Sequence, residues 1–290
     1  MRLGVVDIGG TSIKSAVYEE GGLTGFAETP SQAHQGAEAL LRQAQGLLAA
    51  MGALDGAGVS TRGQVNTQTG RILYDLDSVI PGYSGTEAGA ILEERLGIPV
   101  ALENDVNCAA MAEAAFGAAR NAPDFLCLTY GTCVGGAIVQ NGRVFHGANY
   151  SAGEFGMMVL KAGAGYVTYE EIASTTALCA AAQCIDPSLT NGREVTAAMG
   201  RPEIHRAVEG WAGDVAAGLV SLIHIFNPSL VVLGGGIMEQ DAIVSLIRER
   251  VMGQIAPGFG CARLLPARFG NRAGLMGAAA VIESRLKAER

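Results

Sequence analysis

A glycine-rich turn at the end of the first apolar strand is the first place in this sequence where chemistry could occur. This first glycine turn contains Asp7, Gly9, Gly10, Thr11 and Lys14. Its glycines let backbone N–H groups approach an anion, Thr11 adds a hydroxyl donor, and Lys14 adds a positive charge. Asp7 could hold Mg²⁺ through water. The spacing matches neither a P-loop nor a Rossmann fingerprint, and an ordinary glycine hairpin with an exposed lysine is the alternative interpretation.

Two further glycine turns follow strands later in the chain. The second glycine turn, Gly131–Gly136, supplies backbone donors and the Thr132 hydroxyl. One such turn is weak evidence, but two at equivalent places in a repeated pattern predict a facing pair that could clamp a polyphosphate. The third glycine turn contains Gly235 and Gly236 and would let an adenine or a ribose lie against bare backbone. In this order, the three turns are typical of a nucleotide site.

Several carboxylates could act on a hydroxyl group or hold one. Asn104 and Asp105 lie at a predicted strand-to-helix junction, where Asp105 could take a proton from a substrate hydroxyl. Phosphoryl transfer needs little more covalent chemistry than one placed carboxylate and charge neutralisation. Capping of the following helix is the alternative role. Glu154 lies in a glycine-framed loop and Glu170 at a predicted helix start, and both could bind sugar hydroxyls. The alternative for Glu154 is a solvated loop acid, and the alternative for Glu170 is a favourable interaction with the helix dipole.

The elements that must position these residues occur in two similar runs. The first run predicts the order β-β-β-α-β-α-β-α, and the second starts again with strand, glycine turn, strand and hairpin. A helix is predicted around Tyr169–Cys184. This weak internal repeat predicts two α/β lobes of similar plan around a cleft. We expect an N-terminal lobe over 1–117, a larger C-terminal lobe over 118–272, and a last helix over 273–290 that packs back on the N-terminal lobe.

Composition narrows the class of protein. Of 290 residues, 49% are hydrophobic and 17% are charged, which predicts a sizeable core, and the net charge of −8 disfavours nucleic acid as a partner. The first residues read as a strand, so we expect no targeting segment and a cytoplasmic location. Asp214 and His224 interrupt the longest apolar stretch, so we expect no membrane partner. The six cysteines form no Cys-x-x-Cys pair and are expected to be buried, reduced thiols. The four histidines are isolated, and we expect His224 to be a core residue.

Taken together, these residues resemble the ROK family (repressors, open reading frames, kinases) over nearly the whole chain. Glu103–Asn107, followed by Ala110 and Glu113, is similar to the family segment Glu-Asn-Asp-x-Asn-x-x-Ala-x-x-Glu. The three glycine turns are similar to the two phosphate loops and the adenosine-side loop of the family. The resemblance implies the duplicated actin-like (ribonuclease H-like) fold. It also implies transfer of the γ-phosphoryl group of ATP, with Mg²⁺, to a sugar hydroxyl, usually the 6-hydroxyl of a hexose.

The resemblance further implies a role for each site residue. Asp105 would be the general base. The residues implied to bind sugar are Gly63, Asn104, Asp105, Glu154 and Glu170. The residues implied to bind ATP are Asp7, Gly9, Gly10, Thr11, Lys14, Gly131, Thr132, Gly235 and Gly236, with Asp7 also holding Mg²⁺ through water. Family members are commonly homodimers, so the expected partners are a sugar, ATP and a second copy of the chain.

The sequence departs from the family pattern at three places. Met157 stands where many members have a histidine, and residues 161–169 lack the cysteines of a zinc motif, so no structural zinc is expected. Arg62 precedes Gly63 where proline is usual, which puts a large cation near the presumed sugar pocket. Cys133 replaces a glycine in the second glycine turn, so we expect reduced ATP affinity. This zinc-less pattern resembles a branch of β-glucoside kinases and N-acetylmannosamine kinases.

Three other classes of function compete with the sugar kinase. A sugar-responsive regulator would need a helix-turn-helix segment before the first glycine turn, and the acidic charge disfavours DNA. A non-catalytic sugar-binding protein would fit the changes at Cys133 and Met157, but the presence of Asp105 argues against it. A metal-cluster ATPase of the same superfamily would need a bridging cysteine pair that the sequence lacks.

Overall fold

The computed structural model describes residues 1–163 and 165–289, which form two compact α/β units. Unit 1 comprises Met1–Ala115, His146–Ser151 and the residues from Arg272 onward. Unit 2 comprises Phe116–Phe145 and Ala152–Asn271. The short segment His146–Ser151, from the middle of the chain, therefore belongs to the same unit as the first 115 residues and the last helix.

Unit 1 is built on a sheet of five strands with helices packed against it. Its strands are β1 (Arg2–Ile8), β2 (Ser12–Glu19), β3 (Gly22–Pro30), β4 (Gly56–Thr61), β5 (Gln64–Asn66), β6 (Arg71–Tyr74) and β7 (Val100–Asn104). Its first three helices are α1 (Ala37–Ala49), α2 (Ala88–Leu96) and α3 (Asp105–Phe116), the last of which ends one residue beyond the unit. The sheet order is β3-β2-β1-β4-β7, and β5 and β6 form a separate hairpin. That hairpin was missed by the predicted order of the first run.

The parallel part of this sheet brings the candidate residues to one edge. Strands β1, β4 and β7 run parallel, and their register pairs Ile8 with Thr61 and Thr61 with Asn104. The carboxyl ends of parallel strands meet at the same edge, where ligands of open α/β sheets bind. The first glycine turn, Arg62 and Asp105 therefore leave the sheet side by side.

Unit 2 repeats this plan with its own sheet. Its strands are β8 (Phe125–Tyr130), β9 (Val134–Gln140), β10 (Arg143–Val144), β11 (Val159–Ala162), β12 (Gly165–Thr168), β13 (Leu230–Gly234) and β14 (Arg263–Pro266). Its helices are α4 (Tyr169–Ala173), α5 (Thr175–Gln183), α6 (Gly192–Ala197), α7 (Pro202–Phe226) and α8 (Asp241–Met252). The sheet order is β10-β9-β8-β13-β14, with β8, β13 and β14 parallel and β11–β12 a separate hairpin. The order of strands thus matches that of unit 1.

The long helix α7 anchors the core of unit 2. It begins at Pro202, whose fixed φ suits the first turn of a helix, and ends before Asn227 in the left-handed conformation. Its buried apolar side chains recur every three or four residues and form one stripe. The larger ones in this stripe include Ile204, Val208, Trp211, Val215, Leu219 and Leu222. The indole Nε1 of Trp211 donates to the carbonyl oxygens of Ala173 and Ser174, both at 3.0 Å.

The helix predicted around Tyr169–Cys184 is in fact two helices. Ser174 lies between α4 and α5 with an extended backbone, and its hydroxyl accepts a hydrogen bond from the Ala177 amide. Serine is a preferred N-cap residue, so the sequence starts a new helix here. The indole of Trp211 satisfies the two carbonyl groups at the break.

The last helix, α9 (Ala273–Ala288), belongs to unit 1 and packs on its sheet. The contact is close because glycines face it. A Cβ on Gly58 of β4 would lie 2.6 Å from the carbonyl carbon of Ala278 in α9. Gly277 of α9 likewise lets the helix approach α3, because a Cβ there would lie 2.5 Å from the Cα of Cys108. The predicted end of this helix at residue 290 lies outside the described residues.

Two expectations about single residue types were wrong. Cys108, Cys127 and Cys179 are buried, whereas the other three cysteines, at 133, 184 and 261, are exposed. His224 is only half-buried, and its Nε2 accepts a hydrogen bond from the exposed Ala256 amide. In the described part of the chain, no helix is both long and apolar enough to cross a membrane.

Candidate active site

The first glycine turn holds its acid and its lysine together. The Gly9 amide donates to the Ser12 carbonyl at 2.9 Å and closes the turn. Asp7 Oδ1 accepts from the Ser60 hydroxyl at 2.7 Å, and Lys14 Nζ lies 3.3 Å from Asp7 Oδ2. The Lys14 side chain is only 19% exposed, so this is not a hairpin with a solvated lysine. Thr11 is exposed at the tip of the turn.

Asn104 connects the end of β7 to two other pieces of backbone. Its Oδ1 accepts from the amides of Val106, at 2.9 Å, and Asn107, at 3.2 Å, which caps the start of α3. Its Nδ2 donates to the carbonyl oxygen of Gly63 at 3.1 Å. The capping interpretation is therefore correct for Asn104, but the same side chain also fixes the loop after β4. Asp105 Oδ1 accepts from the Val106 amide at 2.9 Å.

A buried carboxylate that the sequence did not single out lies next to this junction. Glu103 Oε1 accepts from the Asn104 amide at 2.8 Å and from Asn107 Nδ2 at 3.0 Å. Its Oε2 lies 2.8 Å from His146 Nε2. The sequence suggested that His146 is isolated, but the structure pairs it with Glu103. Glu103 therefore links the backbone amide of Asn104 to His146, which lies 43 positions after Glu103 in the chain.

The loop after β4 has a conformation that requires glycine. Gly63 has a φ of +87°, and a Cβ there would lie 2.7 Å from the carbonyl oxygen of Tyr74. Its neighbour Arg62 forms an ion pair with Asp75, with 2.8 Å between Nε and Oδ1. The Asp75 side chain is 3% exposed, whereas that of Arg62 is 29% exposed. The sequence placed Arg62 near the site but gave no sign of its partner.

Glu154 and Glu170 lie close together within unit 2. A Cβ on Gly156 would lie 2.8 Å from Glu170 Oε2, so the carboxylate of Glu170 covers this glycine. Glu154 is an exposed residue, yet partial burial of its carboxyl group raises its pKa, and the charge of Glu170 raises it further. Two neighbouring carboxylates of this kind offer acceptor oxygens to the hydrogen-bond donors of a ligand.

Helix α4 fixes the position of Glu170. Glu171 Oε2 accepts from both the amide and the hydroxyl of Thr168, at 2.6 and 2.8 Å, so Glu171 completes a capping box. These bonds lower the pKa of Glu171. The buried Tyr169 hydroxyl lies 2.7 Å from the Val215 carbonyl oxygen and 2.9 Å from the Tyr130 hydroxyl. The helix start is thus satisfied by Glu171, and Glu170 is not needed for it.

A cavity of about 900 Å³ in unit 2 brings together the second and third glycine turns. Gly131, Thr132 and Gly236 line it, together with residues of α5 and α6. Gly235 has a φ of +100°, and a Cβ there would lie 2.8 Å from the carbonyl carbon of Tyr130, so the third glycine turn packs against the end of β8, directly before the second glycine turn. Sequence reasoning missed α6 as a wall of this cavity, because a six-residue helix carries little periodic signal.

The similarity of this chain to known proteins covers nearly its whole length. The ROK family matches residues 3–285. The chain belongs to the ROK family.

Individual proteins match over nearly their full lengths as well. A beta-glucoside kinase of Klebsiella pneumoniae is 31% identical over 293 residues, covering 96% of this chain and 95% of that protein. An N-acetyl-D-glucosamine kinase of Salmonella gallinarum is 30% identical, covering 94% of this chain and 96% of that protein. The crystal structure of a ROK hexokinase from Thermus thermophilus matches with a TM-score of 0.82 and 30% identity over 99% of this chain and 100% of that one.

The predictions of family and fold are therefore confirmed. The ROK chain has the duplicated actin-like fold, and each of its two sheets places glycine turns and polar side chains at the carboxyl ends of its parallel strands. Unit 1 brings together the first glycine turn, Gly63, Asn104 and Asp105. Unit 2 brings together the second and third glycine turns in one cavity and, separately, Glu154 with Glu170.

Proposed function

We propose that this ROK protein transfers the γ-phosphoryl group of ATP to a hydroxyl group of a sugar, with Asp105 as the general base. The observation that carries the proposal is the placement of Asp105 directly after Asn104, whose side chain caps α3 and holds the Gly63 loop. A carboxylate fixed in this way can accept the proton of an attacking hydroxyl without reorganisation. The sugar kinases among the relatives support the same class of reaction.

The sugar is held by carboxylate and amide oxygens in this proposal. Glu154 and Glu170 accept hydrogen bonds from its hydroxyl groups, which relieves the repulsion between the two acids. Asn104, Asp105 and the backbone of Gly63 provide the remaining contacts. Met157 lies beside this pair and is exposed, so it offers an apolar surface where many members have a histidine.

ATP binds through backbone donors of the three glycine turns. Gly131, Thr132 and Gly236 line a cavity that is large enough for a nucleotide. Gly235 gives the third glycine turn its close approach to β8. The first glycine turn, with Gly9, Gly10, Thr11 and Lys14, contacts the phosphates.

Mg²⁺ fits this site as an ion bound mainly by phosphates and water. The oxygens of Asp7 each accept one hydrogen bond from the protein, at 2.7 Å from Ser60 and 3.3 Å from Lys14, which leaves lone pairs for water molecules. Mg²⁺ usually keeps several waters and takes one or two carboxylates plus substrate phosphates. Asp7 would therefore hold the ion through water, and the ion would neutralise charge on the phosphates. Among the described residues, no three His, Cys, Asp or Glu side chains form a metal site on their own.

The finer points of the proposal rest on the family resemblance. The acceptor is the 6-hydroxyl of a hexose such as N-acetylmannosamine or glucose. The protein works as a cytoplasmic homodimer, with residues 1–117 and the last helix as one lobe and 118–272 as the other, except that the segment His146–Ser151 joins the first lobe. A beta-glucoside, such as a disaccharide, is the alternative acceptor, and the name of the Klebsiella pneumoniae relative favours it.

The test is ADP release from Mg-ATP across a panel of glucose, mannose, N-acetylmannosamine, N-acetylglucosamine, fructose and cellobiose. We expect one sugar to stand clearly above the rest and its phosphorylated product to appear in equal amount. Cellobiose as the best acceptor would decide for the beta-glucoside alternative. A protein that binds a sugar of the panel but never consumes ATP would contradict the proposal and favour a non-catalytic role.

A further inference from the structure

Arg62 stands between the two parts of the candidate site in unit 1. It follows β4 directly, and β4 lies between β1, which leads into the first glycine turn, and β7, which leads into Asp105. The Arg62 Nη1 atom lies 3.6 Å from the position that a Cβ on Gly10 would occupy. The guanidinium group therefore borders the glycine turn on one side, and its own chain continues into Gly63 on the other.

Asp75 holds the guanidinium group in this position. The distance between Arg62 Nε and Asp75 Oδ1 is 2.8 Å, and this is the one hydrogen bond that the Arg62 guanidinium makes in the described chain. Asp75 Oδ2 is buried without a hydrogen-bond partner, which is rare and costly for a carboxylate oxygen. Because a buried carboxylate needs a cation beside it, Asp75 keeps Arg62 inside the site. The Nη groups, which carry four of the five N–H donors, remain available to a ligand.

We propose that Arg62 is a catalytic residue that contacts the phosphoryl group during transfer, and that Asp75 is its positioning residue. The proposal rests on the sugar kinase function proposed above. In that reaction, the bond between the γ-phosphorus and the β-phosphate oxygen breaks, and a bond to the sugar oxygen forms. The sugar proton passes to Asp105, and Arg62 exchanges no atom. Arg62 contributes N–H donors and positive charge to the equatorial oxygens, on which the charge of the transition state is spread.

The surroundings explain why a cation is needed at this place. Asp7 and Asp105 bring negative charge to the same edge of the sheet, and Lys14 is engaged with Asp7. A planar guanidinium fork suits phosphoryl oxygens better than an ammonium group, since it can donate two parallel hydrogen bonds. The residue that replaces the usual proline thus supplies a function that proline cannot.

The experiment compares Arg62→Ala and Arg62→Lys with Arg71→Ala as the matched control. Arg71 is an exposed arginine of the same unit that pairs with Glu87 at 3.4 Å. We expect Arg62→Ala to lower kcat about 100-fold, as removal of one transition-state donor does, with little change in the KM of the sugar. Added guanidinium ion should restore part of the rate, Arg62→Lys should recover less than wild type, and Arg71→Ala should behave as wild type. An unchanged kcat, or a loss confined to the sugar KM, would overturn the proposal.

Two further measurements test Arg62 independently. The first separates a catalytic role from an effect on stability, and the second does not require the protein to phosphorylate a sugar. The double variant Arg62→Met/Asp75→Leu removes the buried pair as a whole and should keep the fold; a wild-type kcat in that variant would overturn the proposal. If the wild-type protein turns over no sugar, the function proposed above fails, and binding of ATP and ADP then tests Arg62 separately. We expect Arg62→Ala to weaken ATP more than ADP, and an equal loss for both nucleotides would overturn the role of Arg62.

Discussion

Asn104 Nδ2 donates a hydrogen bond to the carbonyl oxygen of Gly63 at 3.1 Å, while Asn104 Oδ1 caps the helix that starts with Asp105. One amide side chain therefore sets the position of the proposed base and of a loop 41 residues earlier in the chain. The two cannot shift independently. A change in the Gly63 loop is expected to displace Asp105 through Asn104. Variants in this loop should therefore be assayed for turnover as well as for sugar binding.

Replacement of Asp105 by asparagine should remove the base and leave the fold. We expect Asp105→Asn to lower kcat by roughly 10²–10⁴-fold, the range that a general base contributes. Sugar affinity should survive, since asparagine keeps a hydrogen-bonding oxygen. ADP release and calorimetric titration with the best sugar of the panel measure the two effects. Asp241→Asn, at an exposed position at the start of α8, is the control; unchanged turnover in Asp105→Asn would remove Asp105 from the mechanism.

The third glycine turn offers two neighbouring glycines with different requirements. Gly235→Ala should destabilise the protein by about 1–3 kcal/mol, because its φ is +100° and the new Cβ would press on the backbone of Tyr130. Gly236→Ala meets nothing within 4 Å and should leave the thermal midpoint unchanged. ATP affinity should fall in the first variant through displacement of the turn. Equal midpoints for both variants would contradict this account of the close approach.

The acid pair of unit 2 should make stability depend on pH. The pKa of Glu154 is raised in the folded protein, so the folded state binds this proton more tightly than the unfolded chain. That contribution to stability is present below the ordinary pKa of a glutamate and is lost as the pH rises through the raised pKa. Glu154→Gln should therefore be more stable than wild type at neutral pH, while its sugar affinity falls.

Thermal unfolding of wild type and Glu154→Gln at several pH values measures this effect. The difference between their midpoints should shrink as the solution is made acidic, below about pH 4, where a glutamate is protonated in both states. Glu171→Gln is a useful comparison, because hydrogen bonds from Thr168 lower the pKa of Glu171. Its stability difference should have the opposite sign. A midpoint difference for Glu154→Gln that does not change with pH would contradict the raised pKa.

A glycine at the start of helix α9 should be needed to keep Asp7 of the first glycine turn in place. A Cβ on Gly274 would lie 2.6 Å from the carboxyl carbon of Asp7, which is already bonded to Ser60 and Lys14. Gly274→Ala should displace Asp7, cost about 1–3 kcal/mol of stability and reduce turnover at limiting Mg²⁺. Gly46→Ala in α1 meets nothing within 4 Å and should be neutral or stabilising. Raising the Mg²⁺ concentration should recover part of the activity of Gly274→Ala; wild-type turnover in that variant would show that Asp7 is not displaced.

The features that sequence predicted well are those with strong local signals. The glycine turns follow buried apolar strands, and the Glu103–Asn107 segment spans the junction of β7 and α3. Each of these signals lies within about ten residues, where side-chain spacing reflects the local backbone. The repeat of strand, glycine turn and strand was enough to suggest two similar sheets, which the strand orders of the two units share.

The features that sequence missed depend on contacts between distant residues. His146 meets Glu103 across 43 positions, and Asp75 meets Arg62 across 13 with a hairpin between them. The break at Ser174 is stabilised by Trp211, 37 residues later. No local pattern marks such pairs, because the two partners lie far apart in the sequence.

The place of α9 in unit 1 also bears on how the chain is made. The N-terminal residues emerge from the ribosome first. However, Gly56 and Gly58 of β4 pack against residues of α9, which emerges much later. The elements of unit 2 are complete before that helix emerges. During synthesis the second half can therefore fold while the first half still exposes one face of its sheet, so the unit that begins the chain is the last to be finished.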